Sequence, residues 1–399
     1  MHGRLWNDPC LLRSPDRASY GGHLYSDKAP GMSLLELPSA EAVRLPPMGT
    51  VRSRTPRLWA VRVLSSGVGF LLAAFLVGRI AEGLRPGTGG AALVAFALGT
   101  LVAPLAAASF GHVAAGAAGL GAFAAAWGRR FALAGLLAGA AVLLEYDAAL
   151  ALVAVGLFVA AGGRRPLAAY AAGLVPGLGV LLAYDVLAFG SPFHLSYRYV
   201  ARGFAAGQAG GLFGVGPPRL HGLEEVLVGS GGLLLVSPVV VAAAVGLALL
   251  ARERPREALV ATAVALAFVL LNCGYYLPYG GVSPGPRFLV PGLPFLALGL
   301  GPAFARLPRT TALLAVCSVV PTFGLTLVWT ANESLRQTIW GELARAAIEG
   351  RASRLVRSLM TPDALGWTPA GSGAGTALMA AAAALALVLA LWPLRAVRR

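Results

Sequence analysis

Eleven apolar runs, separated by polar breaks, fill most of the chain after Leu58, and this alternation decides which folds are open to it. The runs cover approximately residues 58–81, 90–107, 109–127, 131–144, 148–161, 166–188, 231–251, 257–277, 288–305, 310–330 and 374–394. Several approach the ~20 residues an α-helix needs to cross a bilayer core. Lipid offers the backbone no hydrogen-bond partners, so a spanning segment must satisfy itself as a helix. The pattern therefore predicts an all-α, polytopic integral membrane protein, with a bundle of about eleven transmembrane helices over 58–399. Apolar residues make up 57% of the chain and charged residues 12%, against roughly 25% charged in soluble domains.

The formal charge of +15 does not point to nucleic acid. The arginines fall in short clusters between apolar runs instead of forming a basic stripe interleaved with aromatics. The clusters are Arg129-Arg130, Arg164-Arg165, Arg252 to Arg256, Arg306 to Arg309 and Arg395 to Arg399. If the first span runs outside to inside, all five lie in the cytoplasm, as positive-inside sorting requires. The C-terminus is then cytoplasmic, in a plasma or inner membrane, and only Glu82, Glu253 and Glu257 of the 17 acids face inward. The remaining acids and all five histidines face outward. Residues 1–57 would form an outer segment with nothing ahead to export it, which predicts a lost upstream helix and a twelve-span parent design. The segments 131–144 and 148–161 are short, meet at Glu145-Tyr146-Asp147, and read as either short helices or a re-entrant pair.

Cys10, Cys273 and Cys317 have neither disulfide-framework nor zinc-site spacing. Lys28 is the single lysine among 32 basic residues. It sits in His23-Leu24-Tyr25-Ser26-Asp27-Lys28-Ala29-Pro30-Gly31, where a carboxylate, an ammonium and a fixed turn adjoin. That pairing suits a phosphate-bearing ligand, and equally a solvated surface pair. Arg287, in Ser-Pro-Gly-Pro-Arg at a helix mouth, can bind phosphate bidentately or snorkel to the interface. Asp147 can cap a helix or reach a substrate. Asp185 is expected to anchor a loop, and His112 to close a hydrogen bond. Loops 189–230 and 331–372 are long, and the second can form amphipathic helices carrying Trp340, Arg345 and Ile348.

Taken in order, YSDKAPG at 25–31, SFGHVAAG at 109–116, LAGLLAGAAVLLEYDAAL at 133–150, AYDVLAFGSPFHLSY at 183–197 and YYLPYGGVSPGPRFLVPGLPFLAL at 275–298 carry a resemblance. The chain resembles GT-C type membrane glycosyltransferases of the protein mannosyltransferase and aminoarabinose transferase kind, the family 39-like group, without its first transmembrane helix. The resemblance implies transfer of a sugar from a polyprenyl-phosphate donor to a glycan, lipid or protein acceptor on the extracytoplasmic side. It implies Lys28 and Arg287 at the lipid phosphate, and Asp27 near the reacting centre or a divalent metal, with His23 as another metal candidate. Glu145 and Asp147 become catalytic candidates, and Tyr25, Tyr275 and Tyr276 sugar-stacking candidates. The family's principal aspartate follows its first helix; here Asp8 and Asp16 are the residues open to that role, and neither stands in a matching motif. The competing readings are a multi-helix transporter or flippase, and a truncated, inactive transferase.

Overall fold

The computed structural model describes residues 4–12, 14–42, 60–281, 283–328, 339–348 and 380–388. The chain is mostly helical, with two three-residue strands near its start. Among the described residues, five helices are long and apolar enough to cross a membrane: Ala60–Leu84, Arg164–Phe189, Pro255–Gly274, Arg287–Arg306 and Pro308–Leu327. A sixth span is possible if Leu220–Val236 and Val239–Ala251, bent by 90° at Ser237-Pro238, count as one. Proline lacks the N–H that would continue the first helix, and Ser237 leaves helical geometry just before it. The expected short segments form helices Phe131–Leu144 and Ala149–Ala160, joined through a 3₁₀ turn at Tyr146–Ala148.

Burial is arranged for an apolar solvent. Arg164–Phe189 has a mean hydropathy of 1.8, yet 28% of its apolar stretch is buried, so most of its greasy surface faces away from protein. Arg287–Arg306 is the opposite case, 83% buried, and is the central helix. Glycine sets a close helix contact. Gly135 and Gly139 of the 131–144 helix face Gly173 and Gly177 of the 164–189 helix, and a Cβ on Gly135 would lie 3.0 Å from the Gly173 Cα. Two G-x-x-x-G faces thus meet backbone to backbone, the packing that lipid-embedded helices use when no hydrophobic force drives them together.

Ahead of the bundle lies a small cap. Strands β1 (Ala18–Tyr20) and β2 (His23–Tyr25) pair antiparallel with Ala18 opposite Tyr25. Gly21 and Gly22 both adopt positive φ, +57° and +82°, as a two-residue turn matching strand twist demands. The hairpin buries Ala18 and Tyr25 against Ala188 and Phe189 at the end of the 164–189 helix. Helix Gly31–Ala42 follows and lies across the end of the 131–144 helix.

Candidate functional site

Five segments that are distant in sequence close around one polar cavity of about 240 Å³ at one end of the bundle. Its wall includes Asp16, Lys28 and Met32 from the cap, His112 from the start of helix Gly111–Trp127, and Glu145 from the turn after the 131–144 helix. Tyr197 and Gln208 come from the long loop, and Tyr275, Arg287 and Phe288 from the approach to the central helix.

Local sequence explains each placement. Pro30 and Gly31 let the chain turn into a helix while lying directly on the Leu143–Leu144 backbone; a Cβ on Gly31 would fall 2.5 Å from the Leu143 carbonyl carbon and 2.7 Å from the Leu144 nitrogen. This seats Lys28 in the cavity wall, with Asp27 buried beside it. A second tie reinforces the first. Buried Ser196 donates its hydroxyl to the Asp27 carbonyl oxygen at 2.8 Å, and its Oγ lies 3.2 Å from the Tyr146 hydroxyl. Gly280 and Gly281, with φ of +76° and +99°, fold a turn along the Arg287 side chain.

Lys28 Nζ donates to Asp27 Oδ2 and to Asp16 Oδ1, each at 3.1 Å. Asp27 is 2% exposed and its Oδ1 has no partner. Burial pushes the Asp27 carboxyl above its ordinary range, while the Lys28 ammonium pulls it partly back. Arg287 has no carboxylate partner among the described residues, and its guanidinium stands 5.1 Å from the Phe110 ring centre and 5.4 Å from that of Phe288. His112 and Glu145 are both buried, with Nδ1 3.1 Å from Oε1. Glu145 fits there because Gly111 has no side chain: a Cβ would lie 2.5 Å from Oε1.

The structure brings Lys28, Glu145, Arg287 and Tyr275 to one cavity, with Asp27 bonded to Lys28 behind them. Other expected residues lie elsewhere. Tyr25 is 5% exposed and packs on Phe189 at 5.1 Å, because the hairpin turns its apolar face to the helix end. Tyr276 is not on the cavity wall; it fills the space left by Gly207 and Gly214. Asp147 is off the wall too, and both its carboxylate oxygens lack partners, so it caps no helix. Asp185 is buried with both oxygens unpartnered, close to the hairpin's aromatic cluster, and anchors no loop through a hydrogen bond.

His23 Nδ1 is 3.1 Å from Asp8 Oδ2 and its ring stacks on Trp6 at 4.4 Å. Asp8 also accepts the Leu24 N–H at 2.6 Å, and these bonds, the backbone one first, hold its carboxyl below the ordinary range. Of the two early aspartates, Asp8 thus fastens the hairpin and Asp16 reaches the cavity. Among the described residues no three His, Cys, Asp or Glu side chains form a metal-binding group. Asp16 and Asp27 are bridged by Lys28 and His23 is engaged by Asp8, so these residues do not fit a resident divalent ion. The amphipathic expectation for 331–372 is met over Ile339–Ile348, where Trp340 and Ile348 are exposed; the rest of that loop lies outside the described residues, as does the apolar run at 374–394 except for 380–388.

Beside the polar cavity runs an apolar groove of about 670 Å³, walled by Leu64, Val68, Leu72 and Phe75 of the 60–84 helix and floored by Ala114, Ala117, Gly121 and Ala125. Leu144 lines both spaces. In comparisons with known proteins, no family model, curated protein or solved structure matches the chain.

Proposed function

We propose that the chain is a membrane glycosyltransferase of the GT-C kind, taking a sugar from a polyprenyl-phosphate donor to a hydroxyl-bearing acceptor on the extracytoplasmic side. The observation that carries this reading is the pairing of a polar cavity holding two cations with an apolar groove that shares its Leu144 wall. The donor has that same division: a charged phosphate bearing a sugar, and a long hydrocarbon chain.

Lys28 is held in place by two carboxylates, and Arg287 keeps its guanidinium unmatched by any carboxylate among the described residues. As the bond between the anomeric carbon and the phosphate oxygen breaks, negative charge grows on the leaving phosphate. Two fixed cations lining the cavity lower the free energy of that charge. Tyr275 and Phe288, packed edge to face with ring centres 4.9 Å apart, give the sugar an aromatic wall. The eleven-span count, the inward-facing arginine clusters and the outward-facing cavity belong to this proposal.

The test uses the full chain in lipid nanodiscs, supplied with polyprenyl-phosphate-linked hexoses and pentoses, with released polyprenyl phosphate as the readout. Lys28→Ala is expected to lower turnover by about 10²-fold or more, and Arg287→Lys to raise the donor KM by losing bidentate contact. Wild-type turnover in both variants refutes the site. Solute uptake into reconstituted vesicles without sugar transfer would favour the transporter reading. That reading expects broken helices in matching positions of two halves, whereas the described residues contain a single broken span, Leu220–Val236 with Val239–Ala251.

A further inference from the structure

The geometry points to His112 as the group that takes the acceptor's proton, with Glu145 as the carboxylate that orients it; this rests on the transferase reading above. His112 is 3% exposed, lines the polar cavity, and has one ring nitrogen facing a carboxylate. Nδ1 lies 3.1 Å from Glu145 Oε1, an ion-pair distance, and neither ring nitrogen makes a hydrogen bond among the described residues. A buried polar atom without a partner is costly unless a ligand supplies one.

The carboxylates are less free to act. Asp27 and Asp16 each spend an oxygen on Lys28, and Glu145 is spent on the imidazole. A carboxylate at Nδ1 favours the tautomer with the proton on that nitrogen, leaving a lone pair on Nε2. The ring is held by the aromatic faces around it: Phe288 at 5.3 Å and Phe110 at 6.0 Å between centres. The charged groups near the pair are Asp147 on the following turn, Arg287 from the central helix and Lys28 from the cap.

In the proposed step the acceptor O–H gives its proton to His112 Nε2 while its oxygen forms the new bond to the anomeric carbon. The bond from that carbon to the phosphate oxygen breaks, and its electron pair leaves on the phosphate toward Lys28 and Arg287. His112 ends as an imidazolium beside the Glu145 carboxylate, and the proton returns to solvent.

Two measurements decide the matter. Nitrogen-15 spectra of histidine-labelled full chain, assigned with His112→Gln, are expected to show the Nδ1–H tautomer at neutral pH, and to lose that preference in Glu145→Gln. The reverse tautomer, or an imidazolium at neutral pH, would overturn the proposal whether or not a working donor has been found. In the transfer assay, His112→Ala is expected to lower kcat by 10²- to 10⁴-fold, the usual range for a general base, with donor KM little changed and part of the rate restored by added imidazole. His112→Gln with undiminished kcat, in a preparation where Lys28→Ala is impaired, sinks the idea. Absence of transfer by the unmodified chain counts against the transferase reading instead, and leaves the tautomer measurement to judge the dyad.

Discussion

Replacing Gly31 by alanine tests how the lysine-bearing loop is placed. The new methyl carbon would sit 2.5 Å from the Leu143 carbonyl carbon and 2.7 Å from the Leu144 nitrogen. Ordinary contact between carbon atoms is roughly 3.5–4.0 Å, so either the loop or the helix end must retreat by about 1 Å. The obstacle is backbone inside a hydrogen-bonded helix, so no side chain can swing aside. The retreat falls on the cap, and it carries Lys28 and Asp27 away from Arg287 and Glu145. A misplacement of about 1 Å can cost on the order of 10²-fold in rate, so Gly31→Ala is expected to lower transfer by that factor while the bundle still folds. Protease sensitivity within residues 14–42 should rise, with the bulk thermal transition shifting little. Gly83→Ala is the control: nothing lies within 4 Å of its added Cβ, and alanine in an unobstructed helix stabilises by about 0.5–1 kcal/mol. A Gly31→Ala protein with normal transfer and an undisturbed cap would refute the docking described for this loop.

Three further outcomes are expected. Asp27 has a raised pKa when folded, so its contribution to stability is fully present below the ordinary carboxylate pKa and is lost as pH rises through the raised value; Asp27→Asn should melt higher than the parent at pH 7, with a flatter pH dependence above about pH 4, while transfer falls. Asp8 has the opposite sign, contributing above the ordinary value and losing that contribution as pH falls through its lowered one, so acid below about pH 4 or Asp8→Asn should speed amide exchange at Leu24. Ser196→Ala should cost about 1–3 kcal/mol, read as a lowered melting temperature, because the Asp27 carbonyl and Tyr146 hydroxyl lose their buried partner.

Apolar periodicity and arginine punctuation were enough to read a helical membrane protein and to place the breaks at 145–147 and 278–286, since lipid leaves the backbone few choices. The lone lysine and the arginine at a helix mouth were likewise legible from residue type and setting. The glycine seam between the 131–144 and 164–189 helices was available as two G-x-x-x-G spacings, Gly135 to Gly139 and Gly173 to Gly177, though the spacing does not say which helix meets which. The Gly21-Gly22 turn was a hairpin signal sitting between short alternating stretches. His112 and Asp16 were harder to place. Each gains its meaning from a partner 33 or 12 residues away, Glu145 or Lys28, and no local motif announces a pairing made only by tertiary packing. Tyr25 shows the converse, because its position beside Asp27 invited a substrate role while strand alternation turned it inward.

On the transferase reading, Leu144, which lines both the polar cavity and the apolar groove, would let the pair of spaces select a ligand before any chemistry. A water-soluble phosphosugar would occupy one chamber and leave the other bare; a neutral oil would do the reverse. A molecule joining a hydrophilic head to a greasy tail could settle in both, with its junction held at the depth of a single leucine, and arrive already oriented.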